Sequence, residues 1–170
     1  MTPLPAANPS DFTTTGNLEE FKKKIKFIIN GGRSQIGIES TVIDLTEKPR
    51  ILRPGVISAS DIQKFVKTNF SKKKLKIKSP GMLKKHYSPT VPLRINITNP
   101  RSDEILIGFG EKYEEPNLSK SGDLDEAAAN LFYFLEKYEA KGNKIAIAPI
   151  PNIGIGVAIN DRLNRASNNE

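Results

Sequence analysis

An alternation of strand-like and helix-like patterns after residue 90 constrains the fold more than any other feature of this sequence. Three runs rich in β-branched and apolar residues predict strands, at residues 91–97, 105–109 and 144–150. Between the last two lies a helical repeat whose apolar residues share one face: Leu124, Ala128, Leu131, Leu135 and Tyr138. Asp123 and Glu126 have the spacing of a capping box, and residues 154–166 predict a final helix. Strands that alternate with helices indicate an α/β unit with a mostly parallel sheet.

The first third of the chain predicts a second set of elements. Apolar residues recur at helical spacing from Asn17 to Asn30, with Asn17 as the candidate N-cap. Two short strands are predicted at residues 41–46 and 50–53. A short helix follows, capped by Ser58 or Ser60 and reaching about Lys67.

A basic segment separates these two parts. Residues 67–90 contain eight lysines and no acidic residue, whereas the whole chain has a net charge of +7, so the remainder is close to neutral. Ser-Pro-Gly and Ser-Pro turns interrupt this segment, which therefore reads as a linker. The expected organisation is a first domain over residues 1–66, the linker over 67–90, and a second domain over 91–170.

Composition excludes several classes of protein. The chain has no cysteine and one histidine, His86, which rules out a disulfide framework, a thiol nucleophile and a Cys/His metal cluster. No apolar run approaches the roughly 20 residues of a membrane span, and the N-terminus lacks the pattern of a signal peptide. A cytoplasmic protein is expected, with no membrane partner. Any metal would be oxygen-bound, and magnesium carried by a phosphate ligand fits best.

Two short motifs carry polar groups at strand ends. In GIESTVIDL, Glu39, Ser40 and Thr41 place a carboxylate and two hydroxyls at the entrance of a strand. In ILRPG, Arg53 ends a strand just before a Pro-Gly turn. Such groups either bind a ligand or are solvated, and an arginine at this place forms a surface ion pair more often than it grips a phosphate.

Near the C-terminus, GIGVAINDR raises a similar choice. Gly154 and Gly156 would let a phosphate approach a helix N-terminus, but close packing is the favoured reading. Asn160, Asp161 and Arg162 are expected to make an interdomain contact.

The order and spacing of these motifs resemble the threonylcarbamoyl-AMP synthase family. PAANPS, GIESTVIDL, ILRPG, PGMLKKHYSP and GIGVAINDRLNRAS occur in the order found in that family, and the resemblance covers nearly the whole chain. It implies an α/β protein: the C-terminal half of a YrdC-like catalytic domain, a basic linker, and a small Rossmann-like domain.

By resemblance, the family joins L-threonine, bicarbonate and ATP into threonylcarbamoyl-AMP and releases pyrophosphate. This nucleotidyltransferase reaction supplies the intermediate for threonylcarbamoyladenosine in tRNA, so the tRNA-modification transfer machinery would act next. Magnesium would accompany the triphosphate. The reaction suits the residues found, because positioning the two reactants and neutralising the leaving group supply much of its rate.

The resemblance assigns roles to five residues. Ser40 matches the serine that contacts threonine. Asn8, Gly16, Arg53 and Tyr87 match positions that contact ATP. No catalytic acid or base and no metal ligand is assigned.

The sequence also departs from the family. Ala6 replaces a serine expected to contact threonine, and Gly16 occupies the position of a residue that faces the nucleotide in the family. Residues 1–57 resemble only the second half of the family's catalytic domain, which predicts an N-terminally truncated member that is inactive unless a separate polypeptide supplies the rest. The alternative is a non-catalytic module that binds RNA or a protein through its lysine-rich linker and C-terminal domain.

Overall fold

The computed structural model describes residues 36–46, 48–67, 69–70 and 89–167. Two three-stranded sheets and three helices lie within these ranges. The predicted helix over residues 17–30 and most of the basic segment fall outside the described residues. A mixed α/β fold is therefore confirmed.

The first sheet is built by residues on either side of the ILRPG motif. Its strands are β1 (Val42–Asp44), β2 (Arg50–Arg53) and β3 (Asn69–Phe70), in that order across the sheet. β1 and β2 are antiparallel with an irregularity between Val42 and Ile43, and β2 and β3 are parallel. The two strands predicted around these motifs are thus confirmed.

Asp44 stabilises the turn that joins β1 to β2. It is buried, and its carboxylate accepts hydrogen bonds from the backbone N–H and hydroxyl of Thr46 and from the Arg50 guanidinium. Three donors compensate the cost of taking this carboxylate out of water. The first sheet is therefore pinned at the end of the hairpin remote from Ser40 and Arg53.

The short helix predicted after ILRPG is α1 (Ala59–Gln63), and it is shorter than expected. Ser58 is its N-cap and accepts a hydrogen bond from the Asp61 backbone N–H. The helix does not continue to Lys67 because only Ile62 is buried in it, while Phe65 beyond its end is 90% exposed. A helix needs an apolar face against a partner to be stable at this length.

The second sheet is wholly parallel, as predicted. Its strands β4 (Leu93–Arg94), β5 (Glu104–Ile107) and β6 (Lys144–Ile147) have the order β4-β6-β5. β4 is much shorter than the predicted 91–97, because Asn96 adopts a left-handed conformation with φ of 59°. Ile97 nevertheless donates a backbone hydrogen bond to Ile147, so the chain stays beside the sheet.

Helix α2 (Leu124–Glu139) crosses between β5 and β6 and covers the sheet. Asp123 caps it by accepting from the Glu126 backbone N–H, which confirms half of the predicted capping box. The other half is not formed, because the Glu126 carboxylate accepts hydrogen bonds from Ser119 and Ser121 instead. Helix α3 (Gly156–Ser167) follows β6 and packs beside α2. None of the described helices combines the length and apolarity that a membrane crossing requires.

The start of GIESTVIDL belongs to the same hydrophobic core as the C-terminal elements. Ile38 is 3% exposed and lies in one cluster with residues of α2, β5, β6 and α3, against which Val56 also packs. A Cβ atom placed on Gly37 would lie 2.2 Å from the Ala128 carbonyl oxygen of α2. No residue larger than glycine fits there without moving a helix backbone.

We therefore predict that Gly37→Ala lowers the free energy of unfolding by about 3 kcal/mol, at the upper end of the cost of adding a methyl group to packed atoms. Gly142→Ala is the matched control. Gly142 has a positive φ of 71° with no atom within 4 Å of an added Cβ, so backbone strain alone should cost about 1 kcal/mol. Urea unfolding of both variants would contradict this packing if Gly37→Ala cost no more than Gly142→Ala.

Candidate functional site

The two residues predicted to bind threonine and ATP lie side by side. Arg53 is the last residue of β2, and its side chain reaches Ser40, which lies two residues before the start of β1. Its Nε and Nη2 atoms donate to the Ser40 carbonyl oxygen at 3.2 and 3.1 Å. The GIESTVIDL and ILRPG motifs therefore form one structural unit. Asn8, Gly16 and Tyr87, the other predicted contacts, lie outside the described residues.

Gly55 lets these two motifs approach each other. A Cβ atom at this position would lie 2.3 Å from the Thr41 nitrogen and 2.4 Å from the Glu39 carbonyl oxygen. The turn after Arg53 is therefore pressed against the backbone that carries Ser40. A side chain at residue 55 would force the two motifs apart.

The three polar side chains of GIESTVIDL have different surroundings. The Glu39 carboxylate accepts a hydrogen bond from Arg162 Nε at 2.9 Å, and the Thr41 hydroxyl donates to the Ile57 carbonyl oxygen at 2.7 Å. Ser40 is exposed, and within the described ranges its hydroxyl has no hydrogen-bond partner. Two of the three groups thus have partners within the fold, whereas the Ser40 hydroxyl is exposed to solvent.

Arg162 reaches this site from α3 and is 1% exposed. Besides Glu39, it donates through Nη2 to the Pro54 carbonyl oxygen at 3.1 Å and through Nη1 to Asp161 at 2.8 Å. Asp161 in turn accepts two hydrogen bonds from Arg165. Arg162 thus makes a contact of the predicted kind with the first part of the chain, whereas the Asp161 hydrogen bonds lie within α3. Asn160 instead donates to the Ile150 carbonyl oxygen and to Asn152, both near α3 in the chain.

Among the described residues, no carboxylate forms an ion pair with Arg53. Glu39 and Asp161 are paired with Arg162 and Arg165, whereas the hydrogen bonds of Arg53 within the described part of the chain go to a carbonyl oxygen. Burial lowers the pKa of the Arg53 guanidinium, the nearby charges of Arg162 and Arg165 lower it further, and Glu39 and Asp161 oppose them. An arginine nevertheless stays protonated at neutral pH. The site therefore offers a positive charge to an anion.

The glycines of GIGVAIN serve packing and turning. A Cβ atom on Gly156 would lie 2.1 Å from the Pro151 carbonyl oxygen, and Gly154 has a positive φ of 50°. The backbone N–H groups of Gly156, Val157 and Ala158 donate to carbonyl oxygens of the preceding turn. The close-packing reading is therefore the better one, because these donors are already used.

A cavity of about 240 Å³ lies beside this site, between the two parts of the chain. Neither Ser40 nor Arg53 lines it. Its walls come from the first sheet and α1 on one side and from the start of α3 on the other, including Thr41, Gly55, Ser58, Asn152, Gly154 and Val157. Ile57 and Ile153, which also line it, are 58% and 66% exposed. The first sheet and α3 are thus in direct contact through Arg162, whereas a cavity separates them at this place.

The described residues do not form a resident metal site. No group of three or more His, Cys, Asp or Glu side chains that could hold a metal ion occurs among them. The carboxylates of Glu39 and Asp161, close to Ser40 and Arg53, form ion pairs with Arg162. Direct binding of magnesium by these residues is therefore not supported. That magnesium binds together with a triphosphate stays a prediction.

Comparison with known families matches almost the entire chain. The family model described as "Threonylcarbamoyl-AMP synthase, C-terminal domain" matches residues 57–168. A second model, described as "Telomere recombination", matches residues 5–55. The two matches meet at the Pro-Gly turn after Arg53.

Individual relatives show the same similarity. The threonylcarbamoyl-AMP synthase of Pyrococcus abyssi is 33% identical over 96% of this chain and 56% of its own length. That of Bacillus subtilis is 29% identical over the same shares. The crystal structure of P. abyssi Sua5 complexed with L-threonine superposes with a TM-score of 0.71 and 29% identity, covering 92% of this chain and 53% of that one. The chain thus spans about half the length of the curated relatives it matches.

We predict that the Ser40 hydroxyl contributes little to folding. Ser40→Ala should change the free energy of unfolding by less than about 0.5 kcal/mol, as at other exposed positions. Thr41→Val is the matched comparison, because it removes the hydroxyl that bonds to Ile57 and should cost about 1 kcal/mol. Equal losses for the two variants in urea unfolding would mean that Ser40 has a structural partner too.

Proposed function

Because the chain belongs to the threonylcarbamoyl-AMP synthase family, we propose that it takes part in forming threonylcarbamoyl-AMP from L-threonine, bicarbonate and ATP. The observation that carries the proposal is that Arg53, which forms no ion pair with a described carboxylate, donates two hydrogen bonds to the backbone carbonyl of Ser40, a residue whose side chain is exposed. An amino acid needs hydrogen bonds and a nucleotide needs positive charge. Ser40 and Arg53 offer both at the same end of the β1–β2 pair.

In the proposed reaction, the amino nitrogen of threonine bonds to the carbon of bicarbonate and water is lost. A carbamate oxygen then attacks the α-phosphorus of ATP as the bond to pyrophosphate breaks. Ser40 would hold threonine through its hydroxyl. Arg53 would donate its remaining N–H groups to phosphate oxygens, where a charge-assisted hydrogen bond is strong. Holding both reactants in line is the main contribution that such a site makes to the rate.

Asn8, Gly16 and Tyr87 belong to the proposal as further contacts to ATP, on the basis of the sequence alone. L-Threonine is supported as a substrate by its presence in the P. abyssi Sua5 complex. The product would pass to the machinery that modifies tRNA, which places the proposed activity in the cytoplasm with ATP and tRNA.

The test is threonine-dependent release of pyrophosphate from ATP. It is measured with the chain alone and with an added polypeptide that carries the part of the P. abyssi relative that this chain does not match. The proposal predicts release that requires threonine and bicarbonate in at least one of these mixtures. Absence of release from both would contradict the proposed function.

In the mixture that releases pyrophosphate, we predict that Arg53→Ala lowers the rate of pyrophosphate release by about a hundredfold, as loss of one charge contact to a transition state typically does. Arg53→Lys should retain part of the rate, because it keeps the charge and loses the planar fork. Ser40→Ala should mainly raise the threonine concentration needed for half-maximal rate.

The control is simultaneous replacement of Lys72, Lys73 and Lys74 by alanine. This should alter only the salt dependence of the reaction. If that variant were inactive while Arg53→Ala kept its rate, the site would lie in the basic segment, in keeping with the RNA-binding alternative.

A further inference from the structure

Arg162 connects the C-terminal helix α3 to both motifs of the proposed site with a single side chain. Its Nε donates to Glu39, the residue before Ser40, and its Nη2 donates to the carbonyl of Pro54, the residue after Arg53. These partners lie 123 and 108 positions away in the sequence. The two contacts thus flank the Ser40–Arg53 pair from one side.

Arg53 and Ser40 are also bonded directly to each other, because the Arg53 guanidinium donates to the Ser40 carbonyl oxygen. The position of this carbonyl therefore depends on both arginines: Arg53 holds it directly, and Arg162 holds the residues on either side. Gly55 allows the close approach of the two motifs, because a Cβ atom there would lie 2.4 Å from the Glu39 carbonyl oxygen. A displacement of Arg162 would therefore act on the backbone beside Ser40 and Arg53 through Glu39 and Pro54, which it bonds directly.

Lysine cannot reproduce these contacts. A guanidinium presents N–H donors in a rigid plane, so that it bonds to a carboxylate and to a carbonyl oxygen in different directions at once, whereas an ammonium is a compact point charge. The side chain is 1% exposed, so its charge has to be compensated by neighbours. Glu39 and Asp161 provide that compensation, and Arg165 fixes Asp161.

We infer that Arg162 is a positioning residue for the proposed threonine and ATP site: it fixes Glu39 and Pro54 so that Ser40 and Arg53 face the same ligand. The inference rests on the proposed function and adds a role for the C-terminal part of the chain. That part completes the geometry of the site without contacting substrate. Arg53 also lies within electrostatic reach of Glu39, Arg162, Asp161 and Arg165, in agreement with one connected group.

The test compares Arg162→Lys with Arg94→Lys. Arg94 is the control for loss of an arginine–carboxylate pair away from the site, because its Nη1 donates to both carboxylate oxygens of the buried Glu104 side chain at 2.9 Å and its own side chain is 36% exposed. Binding of L-threonine and of ATP is measured by calorimetry at a temperature where unfolding curves show both variants folded. Affinity should fall about tenfold or more for Arg162→Lys, since a displacement of ~1 Å at a site can cost on the order of a hundredfold in rate. The affinity for both ligands should be unchanged for Arg94→Lys.

A second readout needs no ligand. In heteronuclear spectra of the free protein, Arg162→Lys should shift the backbone amide signals of Glu39, Ser40, Thr41 and Gly55, and Arg94→Lys should not. If Arg162→Lys does not fold, Asp161→Asn replaces it. This change keeps an oxygen acceptor and removes the charge that orients Arg162, so the same signals and affinities should change in the same direction and by less.

The outcomes separate the two claims. Unchanged threonine and ATP affinity in Arg162→Lys, with wild-type protein that binds both, would overturn the positioning role and leave the proposed function intact. Wild-type protein that binds neither ligand, with or without the added polypeptide, would contradict the proposed function and the role built on it. Weaker binding in Arg94→Lys to the same extent would show a general loss of stability and would also overturn the inference.

Discussion

The arrangement of the described residues depends on one buried guanidinium. Arg162 takes a full positive charge into the interior, and such a charge is tolerated only when acceptors surround it in good geometry. Two carboxylates and a backbone carbonyl meet that requirement, and two of these three acceptors come from the GIESTVIDL and ILRPG segments. The segments are therefore attached to α3 through the acceptors that Arg162 requires, because leaving a buried guanidinium uncompensated is strongly destabilising. Gly37 and Ile38 reinforce this attachment by packing against α2 and into the hydrophobic core.

The same group of charges explains why Arg53 remains available. Two carboxylates and two arginines balance each other in the Glu39–Arg162–Asp161–Arg165 network, so Arg53 is a third cation beside a neutral set. It is held in place by the Ser40 carbonyl oxygen, which orients it without cancelling its charge. An oriented cation bonded to the backbone of a residue with an exposed side chain suits the proposed site, which would hold an amino acid and a phosphate together.

The sequence predicted a mostly parallel second sheet, α2 with its Asp123 cap, and the presence of the two strands around Ser40 and Arg53, because these depend on local periodicity and turn chemistry. It did not predict that these two strands pair. It did not predict that Glu39 would be paired with Arg162, although Arg162 was expected at an interface. A carboxylate at a strand entrance looks the same whether a ligand or a distant arginine neutralises it, and contacts over more than a hundred residues leave no local pattern. Strand ends were also too long in the prediction, since the left-handed Asn96 has no signal in hydropathy.

The central claim is that Glu39 and Arg162 act as one unit that attaches the Ser40–Arg53 site to α3. A double-mutant cycle on unfolding free energy, with Glu39→Gln, Arg162→Met and the double variant, tests it most directly. Each single change leaves a buried partner poorly compensated, so the double variant should lose less than the sum of the two, with a coupling of about 1–3 kcal/mol. Additive losses, within about 0.5 kcal/mol, would show that the two residues contribute independently and would contradict the account.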